Sequence, residues 1–274
     1  MDSEFVDAAP ALVASARSEV LENLDILEVI FSFLHTSPLS EDRIQTPDSG
    51  HLLSASLVKK SFFEPAMNIL WRSINSWVVL LCLIPTLVHE NGIYATSELI
   101  RDEHLERLKL YTRRIRRFRF TPPDYHVSPD VYHFLSRRLD SHLLPTLRTL
   151  DFGDVGSVVE KRQAMFLLPS PLVSEVTISD INPSTATFSS SLLLVTGETA
   201  PTVHTLALSG RSIDITSLAH ITDIVVKHFT ALENISFDFD CISTWAGLLD
   251  QLSGMKSLKN FSLTLRGGGP GALA

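Results

Sequence analysis

The chain has 274 residues, 45% hydrophobic and 20% charged. That is enough apolar material for one large domain or two modest ones, and too much for a disordered chain. With 23 Lys and Arg against 31 Asp and Glu, the formal net charge is −8, which gives no global attraction to nucleic acid or to an anionic membrane. Two cysteines, Cys82 and Cys241, cannot build a disulfide framework or a four-ligand zinc site, and such sparse usage fits a reducing compartment, cytoplasmic or nuclear.

Residues 1–17 mix Ala, Ser and acids without strong periodicity and read as a flexible tail, with no basic start and apolar run of a signal peptide. Leu21, Leu24, Leu27, Ile30, Phe31 and Leu34 then recur at spacings of three and four, one face of a helix. His35-Thr36-Ser37-Pro38 closes that helix, and residues 35–51, rich in Pro, Gly, Ser and charge, form a loop. A second helical pattern carries Leu53, Leu57 and Phe62 or Phe63. Glu64-Pro65 is expected to break it, with Pro65 in the first turn of a third helix bearing Ala66, Ile69, Leu70 and Trp71. Residues 18–74 are therefore a three-helix module. Residues 75–110 are expected to be a helical linker, in which Trp77–Leu87 is apolar enough to make a stiff connection. The apolar run there is interrupted by Pro85 and too short to span a bilayer.

From residue 111 the texture changes. Six segments share the form apolar-x-x-apolar-x-apolar: Ile115/Phe118/Phe120, Leu147/Leu150/Phe152, Val173/Val176/Ile178, Val203/Leu206/Leu208, Leu232/Ile235/Phe237 and Leu258/Phe261/Leu263. One such triplet means nothing; the near-regular spacing of their first members, 26 to 32 residues, carries the information. Several intervals read as helices. Ser128-Pro129-Asp130 is a cap with Pro at the first helical position, Ser217–Phe229 is apolar at helical spacing, and Ser243-Thr244 caps a segment ending at Gly254. Strand, helix, strand at this period predicts a mixed α/β repeat solenoid over 111–265, followed by a flexible tail at 266–274. The x residues of each strand lie on one face and are the candidate contact residues.

Motifs that could carry chemistry lack their companions. Asp151-Phe152-Gly153 spells a kinase tripeptide without a Gly-rich loop, and Ser56-x-x-Lys59 lies inside a helical pattern. The ten histidines show no metal-ligand spacing, and Gly267-Gly268-Gly269 precedes no helix that could complete a phosphate cradle. Arg113, Arg114, Arg116, Arg117 and Arg119 form a basic run. Phe118 and Phe120 fall on buried strand positions there, so a protein-binding or solvated face is expected rather than a nucleic-acid site. Arg116 and Arg119 are the candidate target-binding residues, toward an acidic segment. No enzyme activity, metal or cofactor is expected, and no membrane partner.

The first module resembles an F-box. Asp25-Ile26-Leu27-Glu28-Val29-Ile30-Phe31 follows the family's opening, Ser56-Leu57-Val58-Lys59-Lys60-Ser61-Phe62 its second half, and Leu70-Trp71-Arg72 its Leu-Trp ending. Where the family shows Leu-Pro, Cys and Trp, this chain has Glu22-Asn23, Lys59 and Phe62. The second module is similar to the degenerate leucine-rich-like repeats that follow many F-boxes, notably in fungal families. The resemblance implies a substrate-recognition adaptor of an SCF-type (cullin-RING) ubiquitin ligase. Its F-box would dock on a Skp-family adaptor, and through it cullin, by way of Leu24, Asp25, Ile26, Leu27, Ile30, Phe31, Leu34, Val58, Phe62 and Trp71. The repeats would hold an unidentified target protein. The alternative is a repeat-only binding scaffold with a decayed F-box.

Overall fold

Residues 21–35, 49–120, 126–139, 142–154, 165, 170–240 and 246–266 are described by a computed structural model, in which the chain divides into two units, Met1–Ser73 and Ile74–Ala274. Among the described residues the first unit holds three helices: α1 (Leu24–His35), α2 (Ser49–Val58) and α3 (Lys60–Leu70). Asn23 starts α1, its Oδ1 accepting the backbone N–H groups of Asp25 and Ile26 at 3.0 and 3.2 Å, an N-cap for donors that have no intrahelical partner. Leu27, Phe31, Leu52, Ala66 and Ile69 form the core, with Ala55, Phe62 and Leu70 packed against it.

The break between the second and third helices falls at Lys59, not at Glu64-Pro65 as expected. Lys59 is extended (φ −147, ψ 142) and Pro65 sits inside α3. Proline lacks the N–H for a bond four residues back. Here its ring is buried along with Ala66, Met67 and Ile69, so apolar burial offsets the missing hydrogen bond.

The second unit is mixed α/β. Among the described residues its elements are α4 (Trp77–Leu81), β2 (Leu87–Glu90), β3 (Ile93–Thr96), α5 (Asp102–Thr112), β4 (Arg117–Phe120), β5 (His126–Val127), α6 (Pro129–Arg138), β6 (Thr149–Asp154) and β7 (Glu175–Ile181). They continue with α7 (Ala186–Thr199), β8 (Thr205–Gly210), α8 (Ile215–His228), β9 (Asn234–Asp240), α9 (Ala246–Ser253) and β10 (Asn260–Arg266). Residues 75–110 are not wholly helical. They contain an antiparallel hairpin, β2 with β3, turned by Asn91 (φ 52) and Gly92 (φ 78), the left-handed pair that matches strand twist. Trp77, Val78, Leu80, Leu81 and Ile84 are buried, and the Trp77 ring lies 4.9 Å from that of Phe118, so this segment is part of the second unit's own core.

With β1 (Ser73–Ile74), a seven-stranded sheet has the order β1-β4-β6-β7-β8-β9-β10, and every pairing from β4 to β10 is parallel. The strands follow chain order, and the triplets are in register. Phe118, Leu150, Val176, Leu206, Ile235 and Phe261 are successive partners, as are Phe120, Phe152, Ile178, Leu208, Phe237 and Leu263.

The first members sit in the turn before each strand. Ile115, Leu147, Val173, Val203, Leu232 and Leu258 each donate a backbone N–H to the carbonyl three residues earlier. The next residue's carbonyl then receives two N–H groups from the following segment: Arg148 and Thr149 to Arg116, Ser174 and Glu175 to Arg148, His204 and Thr205 to Ser174. A third device was not foreseen from the pattern. The Thr146, Ser170, Thr202 and Ser257 hydroxyls donate to carbonyls of the preceding segment, and Pro145-Thr146-Leu147 and Pro201-Thr202-Val203 carry its sequence signal.

The helix at 129–138 starts after Ser128 with Pro129 in its first turn, as the sequence implies. The proposed Ser243-Thr244 cap, the tail at 1–17 and the tail at 266–274 apart from Arg266, which ends β10, lie outside the described residues; so does most of the 35–51 loop, whose last residues Ser49–His51 open α2 instead. Among the described residues no helix is long and apolar enough to cross a membrane.

Candidate functional site

The helix α1 is apolar on two sides. Leu27 and Phe31, one turn apart, point into the core. At 100° per residue, Ile26, Val29, Ile30 and Phe33 cluster about 130° round the helix from that pair, and Asp25, Glu28 and Ser32 make a polar stripe. This second apolar face is exposed: Val29 by 58%, Ile30 by 43% and Phe33 by 72%. On α2, Leu52 is buried while Leu53, Leu57 and Val58 are exposed, the last two by more than 70%. Scattered apolar residues on a surface are ordinary, whereas a grouped set of this kind is a candidate interaction surface.

The ten candidate docking residues thus divide. Leu27 and Phe31 are core, and Phe62 is half-buried against it, its ring 5.5 Å from Phe31 in an edge-to-face pair. Trp71 is half-buried at the end of α3, where its backbone N–H caps the Met67 carbonyl at 3.0 Å. Leu24, Asp25, Ile26, Ile30, Leu34 and Val58 are exposed. Val29, Phe33, Leu53 and Leu57 were missed by reading a single apolar stripe. The signal was present, since eight of the twelve residues in LDILEVIFSFLH are apolar, too many for one buried face.

The three departures from the F-box pattern have local roles. Asn23 caps α1. Lys59 Nζ reaches Glu22 Oε1 at 3.3 Å, an exposed pair of small energetic weight. Phe62 fills the space beside Phe31. Further ties between helices are Asn68 Nδ2 donating to Glu28 Oε1 at 2.8 Å and Ser61 Oγ donating to the Leu21 carbonyl at 3.2 Å.

A second candidate surface is the sheet face opposite the buried triplets. Its register rows run Arg117, Thr149, Glu175, Thr205, Asn234, Asn260 and Arg119, Asp151, Thr177, Ala207, Ser236, Ser262. Charge is concentrated at β4–β7; from β8 onward these two rows carry small or amide side chains. Neighbours bond across strands: Thr149 Oγ1 donates to Glu175 Oε2 at 3.1 Å, and Asn260 Nδ2 to Asn234 Oδ1 at 2.7 Å.

The two candidate target-binding arginines differ in setting. Arg119 Nε lies 3.1 Å from Asp151 Oδ2; burial pushes that carboxyl up and the guanidinium partly opposes the shift. Arg116 is half-buried and donates to the Thr146 carbonyl at 3.3 Å. Arg117, two residues from Arg119 in the same strand, shares its face and was not singled out by the sequence pattern. Among the described residues no group of His, Cys, Asp and Glu could hold a metal ion. No family model matches the sequence, and no curated protein matches it either.

Proposed function

We propose that this chain is a non-enzymatic substrate-recognition adaptor of an SCF-type ubiquitin ligase, in which the three-helix unit is an F-box docking on a Skp-family adaptor and the second unit is a short leucine-rich-repeat-like solenoid holding a target protein. The observation that carries the reading is the second apolar face of α1, with Val29, Ile30 and Phe33 exposed beside a core that Leu27 and Phe31 already complete. Isolated burial of such a face on a partner is worth roughly 25 cal/mol per Å² of apolar area removed from water. The sequential, in-register parallel sheet supports the repeat half of the reading. The mechanism is proximity: holding a target and a ubiquitin-charged enzyme in one assembly raises the effective concentration of a target lysine. No residue of this chain acts on a bond.

Co-purification of the full chain with a Skp-family adaptor tests the docking half. Wild type is retained, and Ile30→Asp, folded by circular dichroism, is lost, because the charge must be desolvated in the interface. A folded wild-type chain that is not retained would leave the repeat-only scaffold and remove ubiquitin from the account.

A further inference from the structure

At the β4–β6 corner of the sheet, three arginines lie at the same end of neighbouring strands. Arg117 is the Cα partner of Thr149, and Arg148 immediately precedes Thr149, with its N–H on the Arg116 carbonyl at 2.8 Å. Adjacent strands are about 4.8 Å apart, so Arg116, Arg117 and Arg148 concentrate positive charge in a chain whose net charge is −8. Their neighbourhood does not neutralise them. The Asp151 carboxylate is engaged by Arg119, and Glu175, one strand further along the row, accepts from Thr149. Arg117 and Arg148 are exposed, and no acid among the described residues pairs with either.

We infer that this corner is the anchor for an acidic peptide segment of the target, its carboxylates on Arg117 and Arg148 and its following residues laid across the row of small side chains Thr177, Ala207 and Ser236 on β7 to β9. The inference rests on the reading of the second unit as the target-holding one. A nucleic acid is disfavoured by the same surface. Phe118 and Phe120 are buried at 1% and 3%, leaving no aromatic platform for bases within the strand. A peptide suits what lies alongside: Thr177, Thr205 and Ser236 are half-buried, offering hydroxyls with little bulk to an extended backbone.

Fluorescence anisotropy of a labelled twelve-residue Glu/Gly peptide with the full chain tests this, beside a Gln/Gly peptide and a single-stranded oligonucleotide of equal charge. The Glu/Gly peptide binds at low salt, weakens as salt rises, and loses about tenfold in affinity to the R117E/R148E variant, as expected for two exposed charge contacts. The Gln/Gly peptide and the oligonucleotide bind at least tenfold more weakly. Equal binding of the Gln/Gly peptide, tighter binding of the oligonucleotide, no binding of the acidic peptide, or an undiminished folded R117E/R148E variant would each overturn the inference. The adaptor is absent from the assay, so its outcome is separate from whether the first unit docks a Skp-family protein.

Discussion

Asp214 shows how a single side chain sets an element. Its carboxylate accepts from Ser217 N at 2.8 Å, Ser217 Oγ at 2.6 Å and Thr216 Oγ1 at 2.6 Å, and caps α8. These hydrogen bonds, with the Ser217 side chain first, hold its carboxyl well below the usual carboxylate range. A pKa lower in the folded than in the unfolded chain stabilises the fold above the ordinary carboxylate value, and that contribution is lost as pH falls through the folded value. The stability advantage of wild type over Asp214→Asn, measured as urea midpoints, is therefore full at pH 6 and shrinks below about pH 4.

Gly210 acts through space instead. A Cβ there would fall onto the Ile181 carbonyl, which also accepts the Arg211 N–H at 2.9 Å, so Gly210→Ala should cost about 1–3 kcal/mol by overpacking in the same denaturation experiment. The cap at 214 is legible as Asp-x-x-Ser, although the apolar pattern alone opens the helix at Ser217, two residues after its first residue Ile215. The constraint on Gly210 is not, because its cause lies 29 residues away in the neighbouring strand.

Among the elements, α1 carries the functional argument. Its core side and its exposed side make opposite predictions for substitution. Leu27→Ala, at a fully buried position, should cost about 2–5 kcal/mol of stability. Ile30→Asp on the other face should change the unfolding free energy by less than about 1 kcal/mol. Equal losses would mean that the second face is folded against this chain itself.

The hairpin at Asn91-Gly92 was written plainly in the sequence. Its signal is a turn dipeptide that follows the apolar run at 77–88. Helix α7 was not legible in the same way. Phe188, Ser189, Ser190, Leu192, Leu193, Thr196 and Gly197 are all buried, so the helix is enclosed on most sides and has no apolar stripe to betray a period. The misplaced break at Pro65 has a related origin: local backbone preference argued for an end, and burial of the ring overrode it.

For the molecule as a whole, the recurring triplet was the most legible feature, because one pattern had to serve six parallel strands. A triplet whose second and third members pair with the next triplet's, and whose first member turns the chain into the strand, leaves the same mark wherever it recurs. The division of roles within the first unit was invisible, since buried and exposed apolar residues are chemically alike and only their direction round α1 separates Phe31 from Ile30. The sheet's polar face was legible as alternation, but its pairings were not. Arg119 and Arg117 look equivalent in RFRF until the parallel register sets Asp151 beside one of them.

Calorimetric titration of a Skp-family adaptor into the full chain at several temperatures reads the central claim directly, because burial of an apolar face on binding gives a negative heat-capacity change. Saturable binding with a negative heat-capacity change, weakened in a folded Ile30→Asp variant, is the predicted result. No binding by a chain with native circular dichroism, or binding that Ile30→Asp leaves unchanged, would contradict it.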